Sequence, residues 1–283
     1  MLDSRNYNRK IAKWIATVAV CIVTATACLS NTYNTQPMIG LCIAFLLLCM
    51  IGISYKTKTI QSLRPLILLC SLVYFGFMMG GCPCLLLYFQ GFILFMLGKT
   101  TWWLSFVVII SIIALSVIFG AIWCGWICAL GALQEFLFQN NRWKLLQSKK
   151  AQKILFYIQS FAFAVLVIWI ILMQRPVLCV YDPFISIFKI QIFNIIGYIT
   201  VPLLLISSLF VYRPFCRMIC PIGWLLYVIK FLPFTAVLKI TTCTDCRKCI
   251  PHCKLHAIQN KKIEKTCMMC GECKKANCNS MKM

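Results

Sequence analysis

Acid and histidine are the scarce residues of this chain. Its 283 residues include six Asp and Glu and two His. Both histidines, His252 and His256, fall in the C-terminal tail. A membrane b-type haem takes its axial ligands from histidines on the spans, so a bis-His haem is excluded. No apolar stretch carries paired carboxylates, which argues against a carboxylate proton relay of the kind used by pumps. Neither a G-x-G-x-x-G run nor a Walker motif is present, so those phosphate cradles are excluded too. Charge is thin overall at 12%, about half of what a soluble domain carries. The first apolar run lacks a small-residue cleavage site and is long enough to span, which predicts an uncleaved first helix.

Apolar side chains dominate instead, at 61% of residues and a mean hydropathy of +0.87. Six long apolar stretches predict spans over about Lys13–Leu29, Met38–Tyr55, Pro65–Gly81, Thr100–Trp123, Ala151–Gln174 and Asn194–Tyr212. The net charge of +22 is gathered between them. One cluster is Arg5, Arg9, Lys10 and Lys13; the next is Lys56, Lys58 and Arg64. A third is Arg142, Lys144, Lys149, Lys150 and Lys153, and the last is Arg213, Arg217 and the tail. Near-neutral loops such as residues 30–37 alternate with these clusters, which is the positive-inside pattern. It predicts a multi-pass protein of a bacterial cytoplasmic membrane, surrounded by lipid, with both termini cytoplasmic. Residues 82–98 then begin and end outside and read as a re-entrant or interfacial helix. Residues 177–193 form a second outside segment. Charge confined to loops beside apolar spans also argues against nucleic acid as a partner.

Cysteine supplies the chemistry. Cys243, Cys246, Cys249 and Cys253 form C-x2-C-x2-C-x3-C, and Cys267, Cys270, Cys273 and Cys278 form C-x2-C-x2-C-x4-C. Three cysteines at two-residue spacing wrap three corners of a [4Fe–4S] cube, and in two-cluster ferredoxins the fourth thiolate of each run ligates the other cube. Cys243, Cys246, Cys249 and Cys278 are thus expected to hold one cluster, and Cys267, Cys270, Cys273 and Cys253 the second. Structural zinc sites also use C-x2-C pairs but have no use for the third cysteine of each triplet. A disulfide framework does not suit a cytoplasmic segment. The tail is basic, which suits either the anionic inner leaflet or an acidic soluble electron carrier.

A second cysteine pattern is repeated. Trp123-Cys124-Gly125-Trp126-Ile127-Cys128-Ala129-Leu130-Gly131 follows the fourth predicted span, and Phe215-Cys216-Arg217-Met218-Ile219-Cys220-Pro221-Ile222-Gly223 follows the sixth. Both read aromatic-C-x3-C-[AP]-[LI]-G and both are expected to open an amphipathic helix on the cytoplasmic side. On one helix, positions i and i+4 share a face, so each pair is expected to present two thiols together. A pseudo-two-fold arrangement would bring Cys124, Cys128, Cys216 and Cys220 to one S4 site able to hold a third iron–sulfur cluster. Unpatterned cysteines such as Cys21, Cys28, Cys42, Cys49 and Cys70 read as small apolar residues.

From Trp123 onward the chain resembles the NosR/NapH-type membrane iron–sulfur proteins, also called polyferredoxin-like, and more distantly CcoG-like copper-oxidase assembly proteins. The resemblance rests on the two C-x3-C motifs after spans and on the C-terminal cysteine runs. The chain departs from the pattern at Ala129, where the family usually has proline, and at Lys254 and Asn279, which follow the fourth cysteines in place of the expected proline. The periplasmic flavin domain of NosR is not in the sequence. The resemblance implies electron transfer between a membrane pool and cytoplasmic clusters, in respiration or metalloenzyme maturation.

The expected fold is therefore an all-α polytopic membrane protein of about six transmembrane helices plus re-entrant or interfacial helices, with a small α+β two-cluster ferredoxin domain. The boundary falls between residues 1–237 and 238–283. The expected function is an electron-transfer subunit serving other redox subunits or a soluble carrier and a quinone pool or an extracytoplasmic acceptor. Two alternatives stand beside it: a copper assembly factor or metal reductase, and a redox-sensing anchor. The outer-face residues Cys82, Cys84 and Cys179 bear on the first alternative. As soft ligands they suit Cu(I), yet a disulfide, a partner-assisted cluster or a simple turn explains them as well.

Overall fold

The computed structural model describes residues 35–55, 58–78, 85–138, 148–176, 187–188, 195–232, 239–240, 249–259, 262–273 and 281–282. The fold is mostly helical. Helix α1 spans Thr35–Ser54 and α2 spans Lys58–Ser71, running on as a π-helix over Leu72–Met78. Then come α3 (Leu85–Met96), α4 (Trp103–Phe119), α5 (Ile122–Trp126) and α6 (Ala129–Leu137). Helix α7 (Lys149–Met173) is the longest described, and α8 (Ile195–Phe210), α9 (Pro214–Met218) and α10 (Pro221–Ile229) follow. In the tail, β1 (Lys239–Ile240) pairs antiparallel with β4 (Met281–Lys282), and β2 (Ile258–Gln259) with β3 (Lys262–Ile263). The short helix α11 (Cys249–His252) lies between β1 and β2 in sequence.

Helices α3 and α4 pack along each other, and α7 lies across α9 and α10, while α6 sits against the π-helix and α8. One apolar core runs from α1 through Trp123 and Trp126 and includes Met269 of the tail. The outer surface is apolar as well. On α7, Ile154, Tyr157, Ile158, Phe161, Ile168 and Leu172 are all exposed. In water such a face would be a large uncovered patch; in hydrocarbon it is the ordinary outside of a helix. The lysines at the start of α7 oppose the helix dipole.

Among the described residues two helices are long and apolar enough to cross a membrane, Ile60–Met78 and Lys150–Met173. Six crossings were expected. The stretch Lys13–Leu29 lies outside the described residues. The other three fall on α1, α4 and α8. Helix α1 runs 20 residues, about 30 Å at 1.5 Å per residue, whereas α4 and α8, at 17 and 16 residues, fall short of a hydrocarbon core of about 30 Å. Of the expected re-entrant segment, α3 is described and buries Leu85, Leu86, Phe89 and Leu94. Of the second outside segment only residues 187–188 are described, and there Phe188 packs edge-on against Phe77 with ring centroids 5.4 Å apart.

Candidate metal centre

The two C-x3-C motifs fold as copies of one another. In each, the first cysteine sits inside a five-residue helix, Cys124 in α5 and Cys216 in α9. Each short helix ends on an isoleucine. The second cysteine then turns to extended backbone, Cys128 with φ −61° and ψ 113° and Cys220 with φ −62° and ψ 117°. The turn is closed the same way twice. The Ile127 and Cys128 N–H groups donate to the Trp123 carbonyl at 3.0 and 3.1 Å, and those of Ile219 and Cys220 to the Phe215 carbonyl, both at 3.0 Å. The pair does not share one helical face, as i, i+4 spacing predicted: the helix breaks between the two cysteines. The second cysteine therefore becomes the N-cap of a nine-residue helix, α6 or α10. A helix N-terminus presents unpaired N–H groups and the positive end of the dipole, which favours a thiolate there. Pro221 stands at the first position of α10, where proline gives up only an N–H the helix does not use. Ala129 occupies the same place in α6 at no geometric cost.

All four of these cysteines line one cavity of about 50 Å³, walled by Phe75, Leu86, Leu130, Phe215 and Ile222 and closed on one side by Met268. Cys124 and Cys216 are buried; Cys128 and Cys220 are half-buried. Burial pushes the Cys216 thiol well above its ordinary range, and Cys128, Cys220 and Cys124 add to the effect against Arg213. Cys124 moves the same way for the same first reason. Such crowded thiols become thiolates only when a metal supplies the compensating charge. Among the described residues no three His, Cys, Asp or Glu converge on a single ion. Four sulfurs spread around an apolar cavity suit a cube better than a lone zinc, whose sulfurs must all lie about 2.3 Å from one point.

Polar side chains hold the frame. Gly223 approaches the Cys216 carbonyl so closely that a Cβ there would lie 2.6 Å from its oxygen, and Gly131 makes the matching approach to the Cys124 carbonyl at 3.3 Å. The two carbonyls receive different donors. Gln159 Nε2 donates to the oxygens of Cys216 and Cys220 at 3.1 and 3.0 Å. Arg213 Nη1 donates to the Cys124 oxygen. Arg213 is also one arm of a buried ion cluster. Its Nη2 lies 2.6 Å from Glu135 Oε2, and Arg64 grips the same carboxylate at 2.9 and 2.7 Å. Lys254 stands 3.5 Å away. Burial alone would raise the Glu135 pKa, yet Arg213, Arg64 and Lys254 outweigh it and hold the carboxyl well below the usual carboxylate range. By sequence Arg64 and Arg213 belong to two of the basic clusters, and Glu135 is one of the few acids. None of the three carried a signal of the buried cluster they form.

The tail docks on this frame. Trp126 Nε1 donates to the Met269 oxygen at 3.0 Å, and Arg64 pairs with Glu272 at 2.8 Å. Lys230 Nζ donates to the oxygens of Lys265, at 3.0 Å, and of Cys267. Gly125 faces the Met268 oxygen, which a Cβ would meet at 2.6 Å. Cys253, Cys267, Cys270 and Cys273 line a second, smaller cavity of about 20 Å³, and Met268 borders it too. The Ala257 N–H donates to Cys253 Sγ at 3.3 Å, and burial, with Cys270 and Cys267 nearby, pushes the Cys253 thiol up to about 12. Cys249 is buried beside Ile258 and Cys273 and does not line that cavity. Cys243, Cys246 and Cys278 lie outside the described residues, as do Cys82, Cys84 and Cys179.

Residues 100–150 and 193–232 match a sequence family described as a 4Fe-4S binding domain. These segments contain the two C-x3-C motifs and not the tail runs. The chain is 29% identical to protein MJ0750 of Methanocaldococcus jannaschii over 225 residues, 76% of this chain and 91% of that protein. It is 26% identical over 184 residues to YccM of Escherichia coli K12, a protein provisionally named for electron transport, and 29% identical over 167 residues to MJ0749 of M. jannaschii. It spans 51% of the length of YccM and 63% of MJ0749. No solved structure matches. The family match and the YccM likeness support an iron–sulfur electron-transfer family.

Proposed function

We propose that this protein moves electrons between [4Fe–4S] clusters at the cytoplasmic face of a membrane and a carrier in that membrane, as a NosR/NapH-type subunit. The observation that carries the reading is one of adjacency. The four repeat cysteines line one cavity, four tail cysteines line another, and Met268 borders both. A [4Fe–4S] cube supplies one-electron transfer. Cys124, Cys128, Cys216 and Cys220 are the ligands proposed for the first cavity, and Cys253, Cys267, Cys270 and Cys273 for the second. Cys249 with Cys243, Cys246 and Cys278 completes a third set. The protein's own part is to hold these sites at fixed separation. Trp126, Arg64 and Lys230 pin the tail on the helical frame, so transfer between sites needs no diffusing domain. The exposed apolar flank of α7 supports a frame set in lipid, with a soluble carrier or a partner subunit meeting the basic tail.

The test is anaerobic purification of the full chain with iron analysis and electron paramagnetic resonance. About eight irons are expected from the tail ligands and about four more from the repeats, following the ligand count. Cys124→Ser with Cys216→Ser is expected to lose the repeat's share and to stop exchange with the membrane carrier while the tail clusters still reduce. Full iron content and an unchanged spectrum in that variant would refute the shared site. Stoichiometric zinc with no iron would end the electron-transfer reading.

A further inference from the structure

Three cations are buried among the described residues, Arg64, Arg213 and Lys230. The two arginines have carboxylates: Glu135 serves both, and Glu272 serves Arg64 as well. Lys230 stands at the C-cap of α10, is 9% exposed, and makes no ion pair among the described residues. Its ammonium donates to two carbonyls, those of Lys265 and Cys267. A neutral donor would serve two carbonyls as well. In the same frame Gln159 Nε2 spans the Cys216 and Cys220 oxygens. The charge of Lys230 therefore needs a reason of its own, because an ammonium taken out of water without a counter-ion is costly. The negative end of the α10 dipole offsets only a fraction of that cost. Position supplies the reason. Lys230 shares the wall of a cavity of about 70 Å³ with Cys124, Cys216 and Met268, and its Nζ is held on the backbone of Cys267. Cys124 belongs to the repeat set and Cys267 to the tail set, and Met268 borders both of their cavities. Burial and neighbouring thiols push the Cys124 and Cys267 thiols up, and Lys230 opposes the rise at both. Metal-held thiolates on its two sides would supply the negative charge that no carboxylate provides.

We infer that Lys230 is a counter-charge shared by the two ligand sets that Met268 joins, Cys124, Cys128, Cys216 and Cys220 on one side and Cys253, Cys267, Cys270 and Cys273 on the other, and that it sets the reduction potential of both. The inference deepens the proposed function and rests on it. A fixed cation favours the more negative, reduced form of a nearby cluster. One residue placed between two sites raises both potentials together and keeps them matched for exchange. The exchange it serves moves one electron from one set to the other. The donor is oxidised by one and the acceptor reduced by one, with no bond formed and no proton transferred. The electrostatic reach of Lys230 extends to Cys267 and Cys124 and not to Cys249, so the third set, Cys243, Cys246, Cys249 and Cys278, is left to its own surroundings.

The test is a redox titration of the anaerobically purified full chain, followed by electron paramagnetic resonance, with limited proteolysis alongside it to report tail docking. Lys230→Gln keeps a donor and removes the charge. It is expected to shift the two flanking clusters about tenfold toward their oxidised forms, about 59 mV for one electron, while the third set moves by less than about threefold. Proteolysis of the tail is expected to match that of the native chain. Lys230→Arg restores the charge and should restore both potentials. Lys265→Gln removes a neighbouring cation, whose Nζ lies 3.2 Å from the centre of the Phe231 ring, and should leave all three potentials in place. Unmoved potentials in Lys230→Gln, a shift at one flanking site alone, or equal shifts at all three overturn the inference. So does an arginine variant that shifts as far as the glutamine one, which would make the role of Lys230 geometric. Loss of iron from the glutamine variant with iron kept by the arginine variant supports a charge that the sites need; loss from both overturns it. An iron-replete chain whose potentials are indifferent to Lys230 refutes this inference alone. A native chain without iron ends the electron-transfer reading and this inference with it.

Discussion

Glu135→Gln is the most informative single change in the buried frame. The substitution keeps size and shape and removes one charge. It leaves Arg213, which is 0% exposed, and Arg64, 3% exposed. Removing one member of a buried ion pair costs about 3–5 kcal/mol because the other member stays buried without its counter-charge. The two arginines do not suffer equally. Arg64 retains Glu272 at 2.8 Å, whereas Glu135 supplies the one salt bridge that Arg213 makes among the described residues. Arg213 also holds a left-handed φ of 52°, a conformation that non-glycine residues use sparingly, so its anchoring matters more. Because Arg64 keeps a partner and one arginine alone is stranded, the loss should fall near the lower end, about 3 kcal/mol, or roughly two powers of ten in the unfolding equilibrium. Denaturant unfolding in detergent, followed by tryptophan fluorescence from the buried Trp123 and Trp126, measures it. Hydrogen exchange of the α5 and α6 amides should rise in parallel. A loss below about 1 kcal/mol would mean that the charges are solvated and the buried-cluster argument fails. Replacing all three with Arg64→Met, Glu135→Leu and Arg213→Met separates the alternatives further. If the ions serve geometry and not stability, that triple variant unfolds no more easily than the native chain and yet shifts the spectrum of the repeat cluster.

Three other outcomes follow from the same geometry. Gly125→Ala drives a Cβ onto the Met268 oxygen, which it would meet at 2.6 Å, and should loosen the tail enough for limited proteolysis to release residues beyond 232 faster than from the native chain; unchanged cleavage would place the tail elsewhere. Acid should weaken the frame with a defined sign: the Glu135 pKa is lowered on folding, so its contribution is full above about pH 5 and is lost as pH falls below about 4, and a stability that rises on acidification would contradict the pairing. Reporter fusions at Lys150 and Met283 should read cytoplasm and one after Gln174 should read outside, since α7 carries its lysines at one end; the opposite pattern would move both cysteine sites to the other face.

The repeated motif was legible because it is a pattern of residue types at fixed intervals, with matching aromatic and glycine flanks. The sequence did not reveal that the helix breaks inside each pair. Cysteine at i and i+4 reads as one face, and the break depends on two backbone carbonyls, at Trp123 and Phe215, each accepting two N–H groups. Glycine carried more information than its spacing suggested. Gly131 and Gly223 are where another backbone must pass, a reason visible only in three dimensions. The buried ions were hidden for a different reason. Arg64 belongs by sequence to a basic cluster, and a cluster of cations beside a span reads as orientation. That it turns inward depends on Glu135, distant in the chain, and on Glu272 in the tail. The span count shows the same limit from the other side. Hydropathy finds apolar stretches, but whether each becomes one helix long enough to cross depends on breaks such as Gly120 before α5.

A duplicated motif would by itself build a symmetric site, and a symmetric site has no direction. The structure breaks the symmetry at the first cysteine's carbonyl, where the copies receive different partners. The Cys124 carbonyl accepts from a guanidinium and the Cys216 carbonyl from a neutral amide. The first donor, Arg213, belongs to the ion cluster that reaches the tail through Arg64 and Glu272 and touches Met268 Sδ at 3.8 Å. The second, Gln159, stands on α7. The Cys124 side of the cysteine frame is thus tied through Arg213 to the buried ion cluster, and the Cys216 side through Gln159 to α7. A cluster seated between them has a guanidinium at one carbonyl and a neutral amide at the other. Exchanging those donors, with Gln159→Arg and Arg213→Gln, should change the potential of the repeat cluster far less than it changes the rate at which that cluster equilibrates with the tail. The net charge around the four cysteines is conserved by the swap, while the contact with Met268 is not. Equal effects on potential and rate would show that the asymmetry has no bearing on the path.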